Sequence, residues 1–89
     1  MGYGYCGRMA LHFAAEADHA DIVRILLDKG ANVHARDSHL DWMPLHHAAN
    51  YGNTGVVRVL LARGADPEPR DDGGRTPLRL AKEKGHIEV

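Results

Sequence analysis

The sequence predicts an all-α solenoid built from stacked helix-turn-helix units. Three observations carry this: a self-similarity at 34 residues, a helical spacing of apolar residues inside each copy, and a glycine at the same place after each long apolar stretch. Leu11-His12-Phe13-Ala14-Ala15 returns 34 residues later as Leu45-His46-His47-Ala48-Ala49, and Ile22-Val23-Arg24-Ile25-Leu26-Leu27 returns at the same offset as Val56-Val57-Arg58-Val59-Leu60-Leu61. Gly30-Ala31-Asn32 matches Gly64-Ala65-Asp66, and Arg36-Asp37 matches Arg70-Asp71. A third copy opens with Gly74-Arg75-Thr76-Pro77-Leu78-Arg79, here 33 residues after its counterpart. One extra residue therefore stands between Asp37 and Pro44. A fixed period of this size is the signature of a repeat architecture.

Each copy reads as a short helix, a turn, a second helix and a polar loop. Pro44 and Pro77 stand where a first helical turn tolerates proline, and Ala48, Ala49 and Ala81 follow on one side, small enough for a neighbouring helix to come close. Ile22, Val23, Leu26 and Leu27 have the i, i+1, i+4, i+5 spacing of a helix with one strongly buried face. Gly30 and Gly64 end these helices, as expected of a residue at positive φ. A helix pair this short cannot bury its apolar face alone, so neighbouring units must stack.

Bulk properties bound the function. The chain has 89 residues, 44% apolar and 26% charged, with a formal charge of −1; one small domain of ordinary composition is expected. That charge gives no electrostatic reason to expect nucleic acid or an anionic membrane, both of which call for a basic face. Apolar runs such as Ile25-Leu26-Leu27 are far short of a membrane span, and the N-terminus does not read as a secretory signal. Met1-Gly2 opens like a myristoylation site, but Cys6 stands where that pattern needs Ser or Thr. A single cysteine makes no internal disulfide, which fits a reducing compartment. The expected location is intracellular, cytoplasmic and nuclear being unresolved.

Taken together, Thr76-Pro77-Leu78, Leu45-His46-His47-Ala48-Ala49, Gly85-His86 and Gly64-Ala65-Asp66 resemble the ankyrin repeat, over about residues 7–89. The resemblance implies L-shaped units with antiparallel helices stacked side by side and hairpin-like fingers projecting from them. It also implies that fingers and first helices form a concave surface for other proteins. The expected organisation is a loose segment at 1–6 and repeats at about 7–37, 38–70 and 71–89.

Departures from the family pattern matter. Met9-Ala10 and Met43-Pro44 stand where Thr-Pro is usual, and loss of the threonine hydroxyl costs on the order of 0.5–2 kcal/mol of helix capping each. Asp18 occupies the turn between helices where the family has glycine. Val89 aligns with Val56 and Ile22, so the third copy stops as its second helix begins. A fragment or truncated product is the expectation, with the faces of Val56, Val59 and Leu60 uncovered.

No catalytic residue, cofactor or metal ligand is expected. His12, Glu16 and His19 would share a face of one continuous helix, but the repeat alignment puts His19 in the turn, matching Asn53 and His86. The resemblance makes His12 and His46 structural hydrogen-bonding residues. His47 shares its position with Phe13 and Leu80 and is expected to be partly exposed, with a pH-sensitive contact as a minor reading. Cys6 has no base or oxyanion site fixed beside it. Neither a phosphate loop nor a nucleophile elbow occurs.

The expected function is a protein-protein interaction module; the alternative is a packing segment of a larger array with no partner of its own. The chain is expected to be a monomer or part of a longer chain, with no nucleic acid or membrane partner. Equivalent positions of a stack form rows, and in the family such rows contact partners. Arg8, Trp42 and Arg75 make one row, Tyr5, His39 and Asp72 a second. Glu16 with Ala17, Asn50 with Tyr51, and Glu83 with Lys84 make the third. His47 and Leu40 complete the candidate set. Trp42 is its favoured anchor, since Trp, Tyr and Arg dominate interface energetics; the competing reading folds Trp42 and Leu40 back over the core.

Overall fold

A computed structural model describes residues 10–37 and 41–86. The described residues form five helices: α1 (Ala10–Glu16), α2 (Ala20–Asp28), α3 (Pro44–Asn50), α4 (Thr54–Ala62) and α5 (Pro77–Glu83). No strand occurs among them. α1, α3 and α5 pack side by side as one layer, and α2 packs on α4 as a second. α1 rests on α2, and α3 on α4.

The repeat is visible bond by bond. At the turn after each first helix, the backbone N–H of His19, Asn53 and His86 donates to the carbonyl of Ala14, Ala48 and Ala81, at 3.0, 2.8 and 2.8 Å. After each second helix, Ala31 donates to Leu26 and Ala65 to Leu60, both at 3.0 Å. Gly30 and Gly64, at φ 96° and 92°, close α2 and α4 as expected. Connections of three residues fold each helix pair back on itself.

Between the layers lies the core: Leu11, Ala14, Ala15, Val23, Leu45, Ala48, Val56, Val57, Val59, Leu60 and Ala65. Ala15, Ala48, Ala49 and Ala81 have no exposed surface, the close approach that small side chains permit.

The expected uncovered face is corrected. Val56, Val59 and Leu60 are buried, as part of the core against which Leu26 and Leu27 pack. Exposed instead are Leu61 and Leu78, which line an open apolar groove with Leu45, Ala49, Val57, Pro67 and Pro77. Ile22 is also exposed, at 46%, although its spacing put it on the buried face; its counterpart Val56 is covered by a neighbouring repeat.

The turn glycine has a steric reason. A side chain at Gly52 (φ 70°) would come within 2.7 Å of the His86 ring. Its counterpart Asp18 adopts φ 64° without being glycine, which is strained for an L-residue. The helix starts differ too. Thr76 accepts from the Arg79 N–H at 3.2 Å. Met43 has no hydroxyl to offer, but the His46 ring holds Met43's own N–H at 3.0 Å. The His46 ring thus supplies the backward bond of a capping box in the second repeat, and Thr76 the forward bond in the third.

Candidate functional site

The fingers are hairpins tied by an aspartate at their base. Asp37 N–H donates to the Trp42 carbonyl at 2.9 Å, and Asp71 N–H to the Arg75 carbonyl at 2.9 Å. The first closure spans five residues and the second four, so the extra residue of the sequence lies inside the second finger. Asp41, at φ 61°, takes the place of Gly74 at φ 78°.

Both aspartates are buried and satisfied by donors that the fold aims at them. Asp71 Oδ1 accepts from the N–H groups of Gly73 (2.9 Å) and Arg75 (2.8 Å). Its Oδ2 accepts from Trp42 Nε1 (2.7 Å) and Arg75 Nε (3.1 Å). Burial alone would raise this carboxyl, but the Arg75 and Trp42 donors and the Arg75 charge outweigh it and hold the group below its ordinary 3.8. Asp37 accepts from Trp42 N–H at 3.2 Å and meets His47 Nε2 at 2.8 Å. Arg36 crosses to the next repeat, donating to the Arg70 carbonyl at 2.8 Å and the Asp41 carbonyl at 2.9 Å.

This network settles where Trp42 goes. Its indole is 8% exposed. It stacks on His46 at a centroid distance of 6.1 Å and 17°, and meets His47 edge-on at 4.9 Å and 75°. The expected exposed anchor is thus an interior residue, and the competing packing reading describes its environment. His47 is corrected likewise: expected to be partly exposed, it is 5% exposed. Asp37 supplies the polar partner that lets imidazole stand where Phe13 and Leu80 stand in the other repeats.

The remaining candidates divide by place. Tyr5, Arg8, His39 and Leu40, like Cys6, lie outside the described residues. Glu16 and Asn50 are half-buried near the ends of α1 and α3, while Tyr51 (50%), Asp72 and Glu83 are exposed. Glu83 pairs with Arg79 at 3.1 Å, and Arg75 is committed to Asp71. His12, Glu16 and His19 do not converge: His12 is fully buried with Nε2 2.8 Å from the Ala35 carbonyl, and His19 is exposed beyond the end of α1. Among the described residues no group of three or more His, Cys, Asp or Glu side chains is placed to hold a metal ion.

Among the described residues six large apolar side chains are exposed: Phe13, Ile22, Ile25, Tyr51, Leu61 and Leu78. Five have counterparts that stacking buries wholly or in part, namely His47, Val56, Val59, Leu27 and Leu45. Tyr51 differs. Its counterparts Ala17 and Lys84 are exposed too, so its exposure belongs to the row and not to an end of the stack.

Sequence reasoning missed the roles of Asp37, Asp71 and Asn53. The periodic pairs Arg36-Asp37 and Arg70-Asp71 are the signal that marks the first two. Asn53 is buried and its amide donates to the carbonyls of Ala15 (2.8 Å) and Glu16 (3.1 Å), joining α4 to the end of α1 in the preceding repeat. Its counterparts are both histidine, and nothing in the sequence separates it from a turn residue.

No helix among the described residues is long and apolar enough to cross a membrane. Compared with protein families, residues 11–89 match the family described as "Ankyrin repeats (3 copies)". Comparison with the curated proteins gives no match.

Proposed function

We propose that this chain, which belongs to the ankyrin-repeat family, binds a partner protein across its fingers and the ends of its first helices, with Tyr51 as the anchor. The family is one of protein-protein interaction modules. The observation that carries the finer reading is the Ala17–Tyr51–Lys84 row, in which a half-exposed aromatic residue stands at a position exposed in all three repeats. A tyrosine there offers a large, stiff apolar face with a polar tip, the chemistry enriched at binding hot spots. Lys84 in the row and Glu16, Asn50 and Glu83 beside it in the chain give mixed polarity, which selects a neutral or mixed partner face over one of a single charge sign.

Quantitative capture by the immobilised chain tests this, comparing the parent with Tyr51→Ala. A hot-spot tyrosine is worth about 2 kcal/mol or more, roughly 30-fold in affinity. The expected result is loss of specific capture with the far-ultraviolet circular dichroism melt unchanged. Equal capture by both would place the binding surface elsewhere.

The alternative of a packing segment draws support from the open groove at Leu61 and Leu78. On that reading the same experiment captures no partner at all, and the isolated chain self-associates.

A further inference from the structure

We propose that His46 is a proton-operated latch: protonation of its ring releases the start of α3 at the foot of the second finger and frees the Trp42 indole. The inference goes beyond the binding reading and does not depend on it.

Ring geometry carries it. A backbone N–H can only donate, so His46 Nδ1 must accept from Met43 N–H at 3.0 Å. The proton of the neutral ring therefore sits on Nε2, which donates to the Arg75 carbonyl at 3.1 Å. One ring thereby joins the start of α3, at the foot of the second finger, to the closing residue of the third. Only the neutral form makes both bonds. A proton added at Nδ1 turns the acceptor into a donor facing the Met43 N–H, and the helix start loses its side-chain partner.

The surroundings convert this local break into a movement of Trp42. The indole stacks flat on His46 and is held at its far end by Asp71 Oδ2. The groups facing the latch are Asp71 and Arg75 from the third finger, Arg36 and Asp37 from the second, and His47 beyond the indole. His12 of α1 touches His47 edge-on at 5.5 Å. Burial is the largest influence and holds His46 below the ordinary imidazole value of 6.5, against the Arg75 carbonyl, the Asp71 charge and the Pro69 carbonyl, which favour the imidazolium; Arg36 adds to the effect of burial.

The pH window follows from that direction. Below about 6.5 the unfolded or unlatched chain binds a proton that the latched form resists, so latching weakens as pH falls from 6.5 toward the depressed value. Asp71 acts in a separate window. Its carboxyl is depressed, so its contribution is present above 3.8 and is lost only as pH falls below that value. A transition between pH 6.5 and 4 therefore does not come from Asp71, and the ring titrations assign it.

Two-dimensional NMR of the full 89-residue chain reads the latch directly, through the Trp42 indole N–H and the His46 ring Cε1–H. At pH 7.5 the indole proton, bonded to Asp71, is expected to be shifted and protected from solvent exchange. On acidification it should lose that protection with the same midpoint as the His46 ring titration, while most α4 amides stay protected. His46→Gln should abolish the transition, because glutamine can accept from Met43 N–H and donate to the Arg75 carbonyl without titrating; His47→Gln should retain it. An indole protected down to pH 4 in the parent overturns the proposal. So does a midpoint that tracks His47 or His12 instead of His46, or simultaneous loss of all amide protection, which would make the event global unfolding. The parent titration decides even if a variant fails to fold.

Discussion

Trp42, packed between His46 and His47 with its indole N–H on Asp71, gives the sharpest perturbation. Trp42→Phe keeps an aromatic ring between His46 and His47 but removes the 2.7 Å bond to Asp71. A hydrogen bond to a charged group contributes about 1.5–3 kcal/mol, with the cost raised because the buried acceptor is left short of a donor. For a chain of this size 1 kcal/mol moves the melting temperature by about 4–8 °C, so the variant should melt roughly 6–24 °C below the parent. Trp42→Ala goes further. Removing a buried Trp costs about 3–5 kcal/mol, a large share of the ~4–13 kcal/mol such a chain has in total. Circular dichroism melts of the three proteins at pH 7.5 make the comparison. The order parent, Trp42→Phe, Trp42→Ala is expected, with helical content itself reduced in the last. A Trp42→Ala protein that melts like the parent would refute the interior placement and restore the exposed-anchor reading.

Two further substitutions test the repeat contacts. Asn53→Ala strips two donors from the Ala15 and Glu16 carbonyls and should lower stability by about 1–3 kcal/mol, read as a lower urea midpoint with an unchanged slope; a change under 0.5 kcal/mol would mean water replaces the amide at no loss. Asp18→Gly relieves a positive φ at the turn where the next repeat has Gly52. Less the entropy of an added glycine, the gain should be about 0.5–1 kcal/mol, and a lower melting temperature would show that the aspartate side chain supports its own turn.

The fold was legible because its determinants are local and periodic. The 34-residue offset, the paired Ala48 and Ala49 and the terminal Gly30 and Gly64 are each readable from neighbours in the chain. What pairing occurs between repeats was not. Val56 and Val57 are adjacent and alike, yet Val56 packs inward with no exposure while Val57 borders the open groove; helix phase decides this, and one residue of phase is a turn of about 100°. The place of Trp42 stayed undecided because its partner is Asp71, 29 residues away; the arginines aligned with it favoured an interface, while a lone Trp in a small domain favoured packing. His47 misled because its polar partner, Asp37, stands across the finger and satisfies the buried ring. Tyr51 was readable as exposed because its position in the row is set by the period alone.

The most direct test of the binding surface is site-specific photo-crosslinking, with a photoreactive phenylalanine placed at Tyr51 or at Arg58, an exposed position on α4. Both proteins should keep the parent melt, and captured partner should crosslink at position 51 and not at position 58. Crosslinking at 58 alone would contradict the account and move the partner onto the second helices.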